Sequence, residues 1–141
     1  MTESGKVIMA VGGHVGDMEL TAGGVLATMA LKGYKIVTVA LTGGERGCPP
    51  HVTVPEYLKQ KKEEARIFAE MLGGESVVFD YPDCELPVTM EVAFQLCDLI
   101  RKYKADVLLT HWKGSIHKDH MATHQIVKDA QQFAGLPAIE R

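Results

Sequence analysis

The feature that most constrains this chain is an alternation. Four short apolar runs rich in β-branched residues, 6–11, 35–41, 75–79 and 106–110, each give way to a longer stretch with helical spacing. Runs of that length read as strands, and apolar residues recurring every three or four positions predict helices over about 18–32, 54–72, 89–103 and 119–133. Strands and helices in strict alternation predict an α/β fold, a Rossmann-like three-layer arrangement around a mainly parallel sheet. Gly33 and Gly73 stand where a helix end takes a left-handed residue, while Pro49-Pro50 and Pro87 interrupt the chain ahead of the second and third helices.

With 141 residues the chain fits one domain, 1–141. Four strands make a small sheet, so its uncovered edge is expected to meet either a C-terminal part absent from this sequence or another copy in a homo-oligomer. On the first expectation the chain is C-terminally truncated and holds the N-terminal and central part of its fold.

Composition removes several classes of function. The chain is 46% hydrophobic and 23% charged, within the range of packed globular proteins. A net charge of −3 without any basic block argues against nucleic acid, whose nonspecific binding needs clustered Lys and Arg. The first apolar run is too short for a signal segment or a membrane span, so a cytoplasmic location is expected. Cys48, Cys84 and Cys97 are odd in number and widely spaced, which predicts reduced thiols.

Unusual polar residues collect in the loops that follow the first and fourth strands. In a doubly wound sheet the strands flanking the reversal of order lie side by side, and ligands bind at their C-terminal ends. The first loop, Gly12-Gly13-His14-Val15-Gly16-Asp17-Met18-Glu19, has neither the Gly-x-Gly-x-x-Gly spacing nor the Lys-Ser/Thr of a phosphate loop. His14 and Asp17 offer instead a nitrogen and an oxygen donor of the types that suit zinc. The alternative is that Asp17 only caps a helix and His14 is an ordinary loop residue.

The second loop holds four of the six histidines, His111, His117, His120 and His124, within fourteen residues. Spacings of three and four put the last three on one side of a helix. Catalytic zinc takes three protein ligands and keeps a place for water, so His14 and Asp17 need one further donor, and His120 is the choice. His117, one turn away, is expected to stabilise an oxyanion or protonate a departing amine, with Asp119 orienting an imidazole. His124 is expected deeper along the helix, buried and hydrogen-bonded. Glu45 and Arg46 follow the second strand on the same edge, and the guanidinium there suits an anionic group on a substrate; a plain surface pair is the alternative. Trp112 is expected either to stack on a sugar ring or to pack on the sheet edge.

These motifs resemble the LmbE-like, or PIG-L, zinc deacetylases over nearly the whole chain. Gly13 to Glu19 is similar to the family's Ala-His-Pro-Asp-Asp-x-Glu, and His117-Lys118-Asp119-His120 to its His-Pro-Asp-His. Leu41 to Gly47 resembles its Thr-x-Gly-Glu-x-Gly loop, and residues 61–73 its Arg-x-x-Glu helix ending in Leu-Gly, with Glu64 in the acidic position. The resemblance implies removal of acetyl from N-acetylglucosamine-containing or related small substrates. It implies Zn2+, or another divalent metal such as Fe2+, on His14, Asp17 and His120, with His117 stabilising the transition state.

One departure bears on the chemistry. Where the family carries the Asp taken as general base, this chain has Gly16, which cannot accept a proton. Val15 and Lys118 replace prolines and affect turn stiffness, and Ser115 stands where many members have an Asp, which bears on how that loop is braced. Metal-activated water can form hydroxide near neutral pH without the carboxylate, and Glu45 or Asp119 are candidate substitutes. A weak or inactive metal-containing binding module is therefore the second expectation. A nucleotide-binding Rossmann domain is a third, resting on fold analogy alone.

Overall fold

The computed structural model describes residues 5–141. Four strands, β1 (Val7–His14), β2 (Lys35–Thr42), β3 (Glu75–Tyr81) and β4 (Val107–Thr110), alternate with four helices, α1 (Asp17–Leu31), α2 (Val54–Met71), α3 (Met90–Tyr103) and α4 (Lys118–Ala134). All strand pairs are parallel, in the order β3-β2-β1-β4. The chain thus steps outward from β1 to β3, and α3 carries it across the sheet to β4 on the other flank of β1. That reversal between β1 and β4 is the one expected from the sequence.

Side chains of β1 alternate between two apolar layers, as the strand period of two requires. Val7, Met9 and Val11 join Leu96 and Ile100 of α3 and Ile126 and Ala130 of α4 in the larger core. Ile8 and Ala10 face the opposite layer, with Met18 and Leu26 of α1 and Phe68 of α2. The helices therefore cover both faces, two on each. Met9, Leu26 and Ile126 are wholly buried, and each such side chain contributes about 1.5–3 kcal/mol of transfer free energy.

Helix boundaries follow local chemistry. Thr53 caps α2 in a reciprocal box with Glu56, and Thr89 caps α3 by accepting from Val92 N–H. Gly33 and Gly73 take positive φ after α1 and α2, as their positions predict. Lys104 closes α3 at φ +51, a left-handed end that no glycine announces.

The structure corrects the first loop in one respect. Gly12 and Gly13 do not turn; they continue β1, whose pairing with β2 runs to His14 opposite Thr42. The turn falls on Val15 and Gly16, the latter at φ +109. Gly13 serves close approach instead. A Cβ there would lie 3.2 Å from His120 Cδ2 and Thr123 Oγ1 and 3.3 Å from Asp119 O, so its hydrogen is what lets the start of α4 sit against β1.

Candidate metal centre

Two strand ends and two helix starts converge at the carboxyl edge of the sheet. β1 ends at His14 and α1 begins at Asp17; His111 directly follows β4, and α4 begins beyond His117. The Val15-Gly16 turn folds Asp17 back so that its Oδ2 accepts from His14 N–H at 2.8 Å. Thr42 Oγ1 donates to Gly13 O at 2.8 Å and holds the strand end in place.

His14 Nδ1, Asp17 Oδ2 and His120 Nε2 form a nearly equilateral triangle. Its edges are 3.2 Å from His14 to Asp17, 3.2 Å from His14 to His120 and 3.1 Å from His120 to Asp17. Donors bound tetrahedrally at ~2.0–2.1 Å from zinc stand about 3.3–3.4 Å apart. The set therefore fits a small divalent cation in spacing as well as in donor type. His14 also belongs to wider groupings of possible ligands with His117 and His120, and with Asp83 and Asp119.

Each imidazole is held from behind. His14 Nε2 lies 3.0 Å from Asp83 Oδ1 and 3.2 Å from Asp119 Oδ2, so two carboxylates fix the nitrogen turned away from the triangle. Ser115 Oγ meets His120 Nδ1 at 3.3 Å and leaves Nε2 facing Asp17. This is how ligand rings are usually oriented in metal sites. The wholly buried Asp119 also accepts from Cys84 N–H at 2.7 Å, tying the loop after β3 to α4.

His117 is the N-cap of α4, its ring Nδ1 accepting from Asp119 N–H at 3.1 Å. With Nδ1 engaged as an acceptor, the neutral ring carries its proton on Nε2 and is a hydrogen-bond donor there. It stands edge-on to His14, ring centroids 4.6 Å apart.

Charge is strongly coupled across the cluster. Burial opposes ionisation of His14, but hydrogen bonding to Asp17 and the charges of Asp17 and Asp83 outweigh it and push the imidazole up to about 9 without metal. Burial likewise opposes ionisation of Asp17, yet hydrogen bonds from His111 and His14 hold it far below the ordinary carboxylate range. Burial and the neighbouring histidines lower His120, against the pull of Asp17, which favours the neutral ring a metal needs.

Other predicted residues fall elsewhere. Glu45 is not on an open loop: it is 7% exposed and its Oε1 accepts from Asp83 N–H at 2.8 Å, because the short turn Glu45–Gly47 directs it inward under the loop after β3. Arg46 extends outward, its Nη2 2.5 Å from Glu85 Oε1, and its backbone N–H donates to Asp83 Oδ2. Trp112 is 72% exposed rather than packed on the sheet, with Lys113 Nζ 5.5 Å from its ring centroid. His124 is half-buried, with Nδ1 at 2.8 Å from His111 O.

Two residues given no role from the sequence belong to the cluster. Asp83 grips His14, and His111 places Nε2 3.1 Å from Asp17 Oδ2 while stacking on His120 at 3.9 Å with 7° between rings. His111 directly follows β4 and Asp83 lies two residues beyond the end of β3, carboxyl-end positions that could have marked them.

Residues 9–131 match the family described as PIG-L, GlcNAc-PI de-N-acetylase. The chain belongs to the PIG-L family. Among curated PIG-L relatives, a 4-oxalmesaconate hydratase from Pseudomonas putida is 29% identical over 136 residues, covering 92% of this chain and 53% of that protein. A diacetylchitobiose deacetylase from Thermococcus kodakarensis is 29% identical over 143 residues, covering 96% and 53%. A crystal structure of the 4-carboxy-2-hydroxymuconate hydratase from Pseudomonas putida superposes with a TM-score of 0.88 at 27% identity, over 95% of this chain and 59% of that one. The chain thus spans about half the length of these PIG-L relatives. No helix among the described residues is long and apolar enough to cross a membrane.

Proposed function

We propose that this chain is a metal-dependent amide hydrolase that removes an acetyl group from a small N-acetylated amino sugar or a related conjugate. The observation that carries the reading is the triangle of His14 Nδ1, Asp17 Oδ2 and His120 Nε2, spaced for one divalent cation at a strand-order reversal. Membership of the PIG-L family and the deacetylase among its relatives support it. Zinc bound by these three would polarise the acetyl carbonyl and lower the pKa of water.

The chain's own residues supply the rest. Asp83 and Asp119 hold His14 by its far nitrogen, and Ser115 sets the ring of His120. His117, with its proton on Nε2, donates to the carbonyl oxygen as charge develops there, the kind of contact that strengthens in the transition state. Gly16 contributes no base. Loss of a general base costs about a hundred- to ten-thousandfold in rate, so turnover is expected to be slow. Arg46 and Trp112 are the proposed contacts for the remote part of the substrate, Arg46 for an anionic group and Trp112 for a sugar face.

The zinc-loaded protein should release acetate from N-acetylglucosamine or diacetylchitobiose, and chelation should abolish it. If no acetylated amino sugar yields acetate above the metal-free control, the deacetylase reading fails. Addition of water to a conjugated carbon–carbon double bond is the second reading. The hydratase relatives favour it. An unsaturated hydroxydicarboxylate that gains one water without releasing acetate would select it. A protein that binds zinc and ligand but turns over neither substrate would be the binding module.

A further inference from the structure

Beside the triangle lies a second group of donors of different chemistry. Asp83, Cys84 and His117 each bring a ligand atom within 4.8 Å of the other two. Asp83 Oδ1 is 3.5 Å from Cys84 Sγ. Cys84 is exposed, whereas Asp83 is buried beneath it. Cys84 also sits at φ +66, a conformation disfavoured for a side-chain-bearing residue, and is clamped there by its N–H to Asp119 Oδ2 and by Lys118 Nζ to its carbonyl at 2.7 Å.

We propose that Asp83, Cys84 and His117 form a second cation site, selective for a thiophilic divalent ion such as cadmium or excess zinc, whose filling withdraws His117 from the reaction. Thiolate, imidazole and carboxylate are together a donor set for soft and borderline cations, and the sulfur separates this site from the one built on His14, Asp17 and His120. The thiol is protonated before binding: loss of some water around the sulfur, its hydrogen bond to Asp83 and the negative charges of Asp83 and Asp119 push it up. Binding forms the metal–sulfur bond and releases the thiol proton to solvent, so the ion replaces that proton and no redox partner is involved. Inhibition rests on the role of His117 proposed above, whereas cation binding does not.

The test is a cadmium titration of the zinc-loaded protein, followed by the ultraviolet thiolate-to-cadmium charge-transfer band. One additional ion per chain should bind with that band. Cys84→Gly, which relieves the positive φ and keeps the fold, should remove the band, while Cys48→Ser should retain it. His117→Ala should weaken the additional ion at least tenfold, with circular dichroism checking that α4 remains helical. The proposal is overturned if no band develops, if the band survives Cys84→Gly or disappears with Cys48→Ser, or if His117→Ala binds cadmium as the wild type does. Failure to find acetate release changes none of these outcomes.

Discussion

Replacing Gly13 by alanine tests the seating of α4 on β1. The added Cβ meets His120 Cδ2 and Thr123 Oγ1 at 3.2 Å and Asp119 O at 3.3 Å, all three in the first two turns of α4. Ordinary carbon contacts begin near ~3.5 Å, so α4 must recede by roughly 0.3 Å. Thr123 cannot swing aside freely, being wholly buried and bonded to Asp119 O at 2.7 Å. Overpacking of this kind costs about 1–3 kcal/mol. The same shift moves the His120 ring, whose Nε2 now lies 3.2 and 3.1 Å from His14 Nδ1 and Asp17 Oδ2, against the Ser115 Oγ that braces its Nδ1 at 3.3 Å. Zinc affinity should therefore fall about 10- to 100-fold, the range seen when ligands lose their bracing.

Chelator-competition titration measures the affinity, and urea unfolding of the metal-free protein measures the stability. Gly24→Ala is the control. Its site in α1 has nothing within 4 Å, and alanine there should stabilise by about 0.5–1 kcal/mol with zinc affinity unchanged. If Gly13→Ala matches wild type in both measurements, α4 does not approach β1 as described and the triangle loses its third corner.

Three further outcomes follow from the same geometry. Because His14 without metal titrates at about 9, zinc must displace a proton at neutral pH; apparent affinity should rise with pH up to that value, about tenfold per unit, and calorimetry in buffers of different ionisation enthalpy should report the proton, with flat affinity between about pH 6 and 8 counting against it. Asp119→Asn keeps the shape but weakens the grip on His14 Nε2 and the charge-assisted bond from Cys84 N–H, so zinc should bind about 10- to 100-fold more weakly, and unchanged binding would remove Asp119 from its orienting role. Gly16→Asp finds open space but a φ of +109, so it should cost about 1–3 kcal/mol in denaturant titration even if it restores a base; no loss of stability would mean the turn relaxes.

Much of the architecture was legible in the chain because it rests on local periodicity. The runs at 6–11 and 106–110 mark strands whatever surrounds them, and Thr53 with Glu56 carries its own capping signal. The two histidine-bearing loops could be paired because a parallel sheet with one order reversal brings specific strand ends together. His14, Asp17 and His120 were therefore nameable as partners, though not the atoms by which they meet.

What only the folded chain decided are contacts between residues far apart in sequence. Nothing around Glu45 announces that it turns inward to Asp83, 38 positions away, since an acidic residue after a strand reads equally well as solvated. Asp83 had no motif of its own and His111, though in the histidine cluster, no assigned role; both acquired a place when the chain beyond β3 and β4 set them beside His14 and Asp17. The double glycine reads as a turn in one dimension. In three, Gly12 and Gly13 continue the strand: Gly12 pairs opposite Ala40 of β2, Gly13 donates its N–H to His111 Nε2 and accepts at its carbonyl from Thr42 Oγ1, and the packing of α4 demands the missing Cβ of Gly13. Periodicity is a property of neighbours along the chain, whereas a donor triangle is a property of three backbones held at fixed distances, and only packing sets those.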